Sequence, residues 1–154
     1  MVGVLVSVFD KEVYEIELDD NQPLKDAYEA MDCSLVDVVR NIKIGKDFYD
    51  ILVDDNGLYR ENKIPSAKCS NAEQVLFGNI IILKADNENG EWYSMGEKDF
   101  ENINENIFIL RHKETNEATP ILEYSYDTGE ENEDIDTTGT AWYNGQARWT
   151  HPTY

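Results

Sequence analysis

The chain has 154 residues, and 32 aspartates and glutamates against 13 lysines and arginines give it a net charge of -19. One ordinary domain with a tail is expected at this length, burying roughly two-thirds of the unfolded surface. A field of this sign repels nucleic-acid phosphates and anionic membranes and steers the molecule toward basic surfaces on other proteins, so direct binding to DNA or RNA is the partner class the composition argues against.

Val4, Val6 and Val8 alternate with Leu5, Ser7 and Phe9, and Val13, Tyr14, Ile16 and Leu18 are interleaved with Glu15 and Glu17. The break at Asp10 and Lys11 predicts a hairpin between these two strands. The period then changes. Asp19-Asp20-Asn21-Gln22-Pro23 supplies a cap and a first-turn proline, and Leu24, Ala27, Tyr28 and Met31 fall at i, i+3, i+4 and i+7, which predicts a short amphipathic helix over residues 23 to 32. The apolar spacing of Leu35, Val36, Val38, Val39, Ile42 and Ile44 fits helix and strand templates in part, and Val38 to Ile44 is read as a strand.

Phe48 to Val53 and Leu58-Tyr59 flank Asp54-Asp55-Asn56-Gly57, a hairpin signal because both central positions of a type I′ turn need positive φ. Residues 60 to 74 show no periodicity and read as a loop. Val75 to Leu83, whose second half is an unbroken aliphatic run, reads as the central strand, buried on both faces. Asn89-Gly90 then turns the chain into a strand over Glu91 to Met95. Phe100 and Ile103 predict a short surface helix over Glu97 to Asn106, and Ile107 to Leu110 and Pro120 to Tyr126 predict two strands joined by a turn at Glu114 to Glu117.

Antiparallel pairs joined by short turns, with one short helix packed on a face, make an α+β domain over residues 1 to 126 with a mostly antiparallel sheet. Residues 127 to 154 read as an acidic C-terminal extension: a linker too poor in apolar residues to fold alone, then an aromatic hairpin or tail around Asn144-Gly145. An isolated hairpin is marginal in water, so it docks either on the domain or on a partner. Cys33 and Cys69 stand outside any C-x-x-C spacing, and two reduced thiols are expected rather than a zinc site or a disulfide framework. Met1 to Val8 has no basic stretch and meets Asp10 too early for a signal peptide or a membrane span, so a cytoplasmic protein is expected.

The succession of a strand, the short helix at Pro23-Leu24-Lys25-Asp26-Ala27-Tyr28, a strand ending in Ile42, Ile51-Leu52-Val53-Asp54-Asp55-Asn56-Gly57-Leu58, Asn62-Lys63-Ile64-Pro65 and Phe77-Gly78-Asn79-Ile80-Ile81-Ile82-Leu83 resembles a small domain-of-unknown-function family. That family is scattered through phages, plasmids and conjugative elements of bacteria. The resemblance covers roughly Val13 to Met95. Two places depart from the pattern: Asp32-Cys33 stands where the family has Gly-Gly, and no asparagine follows Pro65 at Ser66 or Ala67. The resemblance carries over no catalytic residue. It implies a mobile-element setting and, with it, the host bacterial cytoplasm.

Enzymatic chemistry has little support. His112 lies between Arg111 and Lys113, His151 lies in the tail, and neither neighbours a nucleophile; P-loop, G-x-S-x-G and H-E-x-x-H patterns do not occur. An EF-hand loop placed against Gly57 or Gly90 puts Leu52 or Ala85 at its first ligand position, so these glycines mark turns and no metal is expected. A protein without enzymatic activity or cofactor is the expectation.

Protein binding is left. The candidate contacts are the acids Glu97, Asp99, Glu101, Glu105, Glu130, Glu131, Glu133 and Asp134, with Trp142 and Trp149 as aromatic anchors of the kind that dominate interfaces. The expected partner is a protein with a basic, nucleic-acid-binding surface. The expected role is an accessory protein that inhibits a host nuclease or defence system, anti-restriction or anti-CRISPR, by offering an acidic surrogate for nucleic acid. The alternative is a non-catalytic regulatory or interaction module whose acidity serves solubility alone.

Overall fold

Val4, Val6, Ile80 and Ile82 turn to one side of their strands, while Leu5, Ile81 and Leu83 turn to the other, and all seven are buried. Aliphatic residues on both faces require cover on both, and this dictates the layering. The computed structural model describes residues 1–33, 35–55, 64–86 and 90–127. Its elements are β1 (Val2–Ser7), β2 (Glu12–Glu17), α1 (Pro23–Met31), β3 (Val36–Ile44), β4 (Asp47–Asp54), β5 (Pro65–Cys69), β6 (Val75–Phe77), β7 (Ile80–Ala85), β8 (Trp92–Tyr93), α2 (Glu97–Glu105), β9 (Ile107–Arg111) and β10 (Ala118–Tyr126).

Among the described residues this is a mixed fold of two helices and a ten-stranded sheet in the order β2-β1-β7-β4-β3-β10-β5-β6, with β8 beside β7 and β9 beside β10. The sheet is antiparallel apart from the β10–β5 pair. β10 serves both halves, pairing with β5 through Leu122 to Tyr124 and with β3 through Ser125 and Tyr126. The β10–β5–β6 half thereby buries Ala67, Cys69, Leu76, Leu122 and Tyr124 against Val4, Val6, Ile51, Ile80 and Ile82, and α2 adds Ile103. On the opposite face, α1 sets Ala27 and Met31 against Leu5, Leu52, Ile81 and Leu83.

The predicted strand over Val75 to Leu83 is two strands. Gly78 has φ +83°, a conformation that bends the chain out of the ladder and that side-chain-bearing residues rarely adopt. Val75–Phe77 therefore pairs with β5 at the sheet edge, and only Ile80–Ala85 is central, between β1 and β4. Asn79 marks the break. Its Oδ1 accepts the Val8 N–H at 2.9 Å and its amide donates to the Met31 carbonyl at 3.5 Å, tying the ends of β1 and α1 to β7. Asn79→Ala strands a buried N–H and should cost about 1–3 kcal/mol, read as a lower urea midpoint at unchanged slope.

The loop expected over residues 60 to 74 contains β5. Pro65 and Ser66 hid the strand, yet proline is tolerated as a first strand residue, and the Ser66 hydroxyl is satisfied by donating to the Leu76 carbonyl at 3.2 Å. The partner that the structure gives β4 on the β3 side is β3 itself, reached through a turn at Gly45 (φ +63°) and Lys46. The mixed periodicity of residues 35 to 44 has a cause: a register shift between Val39 and Ile42, with Asn41 at φ +56°, moves the later residues to the other face.

The first hairpin, the helix at Pro23, the strand at Trp92–Tyr93, α2 and the β9–β10 hairpin lie where the sequence places them. The cap of α1 differs, since Gln22 makes no side-chain cap bond. Asp26 instead accepts the Asp19 N–H at 2.6 Å. Cys33 is half-buried and Cys69 buried, and no disulfide joins them. Among the described residues no helix is long and apolar enough to cross a membrane. The turns at Asn56-Gly57 and Asn89, the Leu58-Tyr59 strand and the acidic and aromatic extension from residue 128 lie outside the described residues.

Candidate functional site

The helical period divides the acids of α2. Glu97, Glu101 and Glu105 recur every fourth residue and form one exposed stripe, with carboxylates about 6 Å apart along the axis. Asp99 faces the other way with Ile103 and is buried, so it cannot belong to a partner-binding surface. Its Oδ1 accepts from the Tyr49 hydroxyl at 2.8 Å and from Lys84 Nζ at 2.7 Å, and its Oδ2 accepts the Gly96 N–H at 2.9 Å. Asn102 extends the network, donating to the Ile44 carbonyl at 2.7 Å and to the Tyr49 hydroxyl at 3.2 Å. Burial alone would raise the Asp99 carboxyl, but the bonds from Lys84, Gly96 and Tyr49 and the lysine charge outweigh it and hold the group below the usual carboxylate range. Burial pushes the Tyr49 phenol far above its ordinary value. The network pins α2 to β4 and β7.

A second acidic surface is formed by β2 and α1. Residues 12 to 32 hold eight acids and one lysine. Glu12, Glu15, Glu17, Asp19, Asp20, Glu29 and Asp32 are all exposed. β2 is an edge strand with β1 as its only partner in the described sheet, so its charges meet solvent along its length. Asp20 is paired at 2.6 Å with the Met1 ammonium, which also donates to the Leu18 carbonyl. Alternate residues of a strand lie about 7 Å apart, so neither this edge nor the α2 stripe alone approaches the one charge per about 1.7 Å of duplex axis. A surrogate for nucleic acid needs several such rows together.

Two buried polar clusters serve the fold. Asp50 accepts the Asn41 N–H at 2.8 Å and the Trp92 indole N–H at 2.8 Å, and lies 3.4 Å from the Arg40 guanidinium, which fixes the bulge of β3 and seats β8. The hydroxyls of Tyr124 and Tyr126 both donate to Gln74 Oε1. Asn71 donates to the Tyr126 carbonyl at 2.7 Å and accepts its N–H at 2.9 Å, closing the loop after β5 onto β10. Burial pushes the Cys69 thiol up, which keeps it protonated and a poor nucleophile. Among the described residues no group of three or more His, Cys, Asp or Glu is placed to hold a metal ion.

Of the ten residues singled out from sequence, Glu97, Glu101 and Glu105 share a surface and Asp99 is core. Glu130, Glu131, Glu133, Asp134, Trp142 and Trp149 lie outside the described residues. The acids of β2 and α1 were missed as a group, although the alternation of Glu15 and Glu17 with Tyr14 and Ile16 was their signal.

The fold and this surface define a mixed α/β protein with a mostly antiparallel sheet and acidic outer rows on β2, α1 and α2. The chain belongs to a family built on a domain of unknown function, DUF3846, whose model matches residues 1–108 and so ends within β9. No curated protein and no solved structure matches the chain.

Proposed function

We propose that this protein is a non-catalytic accessory factor of a phage or other bacterial mobile element, working in the host cytoplasm. It binds a basic, nucleic-acid-binding surface of a host nuclease or defence protein and occludes it. The observation that carries this reading is the exposure of the acids along β2, α1 and the outer stripe of α2, held by a framework whose own buried carboxylates are satisfied internally. Such a surface raises association rates with basic partners and loses that advantage as salt screens it over about 8 Å at physiological ionic strength.

A specific observation also favours acidity as protection. Charges on an exposed edge strand such as β2 block edge-to-edge aggregation whatever else they do. The two readings separate on one experiment. The full chain is used to capture proteins from a bacterial lysate at low and at high salt, alongside a variant with Glu12, Glu15, Glu17, Glu97 and Glu101 changed to glutamine. Occlusion predicts a nucleic-acid-binding protein retained at low salt, released at high salt and lost with the variant, which itself melts close to the parent because exposed carboxylates contribute little to stability. Retention unaffected by salt and by these changes sinks the proposal and favours the protective role.

A further inference from the structure

The outer side of β9 is an open sheet edge among the described residues. The His112 N–H donates to the Glu117 carbonyl at 2.9 Å and the Glu123 N–H to the Asn106 carbonyl at 2.8 Å. In the β9–β10 register, where Arg111 faces Ala118 and Ile107 faces Leu122, residues 106, 108, 110 and 112 therefore turn their main-chain groups toward β10. Ile107, Ile109 and Arg111 turn theirs away from it. Pro120, which has no N–H to give, sits opposite Ile109, where the ladder asks for none. Among the described residues no strand pairs with this outer side. Ile109 at its middle is half exposed.

The charge pattern of this edge selects its occupant. Ile107 to Lys113 contains no acid and two fixed bases, Arg111 and Lys113, in a chain of net charge -19; Glu105 precedes it and Glu114 follows it. An antiparallel pairing of β9 with itself, centred on Ile109, sets Ile109 against Ile109 and Ile107 against Arg111. It brings the Arg111 and Lys113 end of each copy beside Glu105 of the other, so opposite charges meet at both ends. The other described edges do not offer this. Centred on its outward-facing Glu15, β2 would set that glutamate against its own copy, and β6 and β8 are only three and two residues long. We propose that β9 is the interface of a symmetric dimer, continuing the sheet from one copy into a second through the outward main-chain groups of Ile107, Ile109 and Arg111.

This proposal does not rest on the reading of the acidic rows: its readout is self-association, and although Glu105 belongs to the α2 stripe, Ile109→Lys and Lys113→Glu leave every acid of those rows untouched. The test is sedimentation equilibrium of the full chain over a concentration series. A reversible monomer–dimer equilibrium is expected, abolished by Ile109→Lys, which replaces an exposed side chain. Glu105→Lys and Lys113→Glu, both on the surface, should each raise the dissociation constant by roughly tenfold or more, because every dimer contains the contact twice. The double variant Glu105→Lys with Lys113→Glu should return it close to the parent value, a rescue that a merely structural role for either residue does not produce. A chain that stays monomeric at every concentration overturns the proposal, and so does a dimer that both single charge variants leave unchanged.

Discussion

Ile81→Asp is expected to abolish cooperative folding. Ile81 is fully buried in β7, in register with Leu5 of β1 on one side and Leu52 of β4 on the other, beneath the α1 layer of Ala27 and Met31. A carboxylate there finds aliphatic neighbours and no donor. An uncompensated buried charge costs several kcal/mol, against a total stability of about 5–15 kcal/mol for a domain, so the variant should lose its thermal transition. Ile81→Val, which removes one methyl group, should cost only about 0.5–1.5 kcal/mol and serves as the comparison. An aspartate variant that melts with the parent would mean that β7 is not the centre of the sheet.

Asp99→Ala should be the next most damaging change, and for a different reason. It leaves the Lys84 ammonium, the Gly96 N–H and the Tyr49 hydroxyl without their shared acceptor at the junction of α2 with β4 and β7. Removing one partner of a buried ion pair costs about 3–5 kcal/mol; Lys84 is one-third exposed, which lowers the expectation to about 2–3 kcal/mol. Tyr49→Phe, which removes one donor and leaves the ion pair, should cost about 1 kcal/mol. The pH dependence carries the same signature. Asp99 is held below its ordinary value, so its stabilisation is present above the unfolded carboxyl value of about 3.9 and is lost as pH falls through the lower folded value. Asp99→Asn should therefore flatten the acid limb of the stability curve, measured by urea unfolding from neutral pH downward. A limb as steep as the parent's would assign the acid sensitivity to other carboxylates.

The legible parts of the fold were those in which local pattern and tertiary role agree. Val4 to Leu18 alternates because β1 and β2 do, and Pro23 to Met31 repeats every three to four residues because α1 lies on one face of the sheet. The aliphatic run is central, as its composition implies, but Gly78 and Asn79 within the expected Val75 to Leu83 strand are the point where the chain leaves one half of the sheet for the other. β5 was hidden because Pro65, Ser66 and Ala67 carry no alternation; long-range pairing with β10 and β6, which no local window contains, makes that strand. Asp99 shows the same limit in the surface acids. Its sequence neighbours Glu97 and Glu101 are solvated, and only the arrival of Tyr49 and Lys84 from fifty and fifteen residues away makes it a core residue. Sequence gives the helical face, and the partner on that face comes from topology.

The occlusion proposal is tested most directly by competition. A host protein captured through the acidic surface is titrated with the full chain in the presence of increasing duplex DNA and at increasing salt. Duplex is expected to displace the chain competitively, affinity to fall steadily as salt rises, and the change of Glu12, Glu15, Glu17, Glu97 and Glu101 to glutamine to weaken binding while the melting transition stays near that of the parent. An affinity that is indifferent to duplex, to salt and to these five substitutions would contradict it.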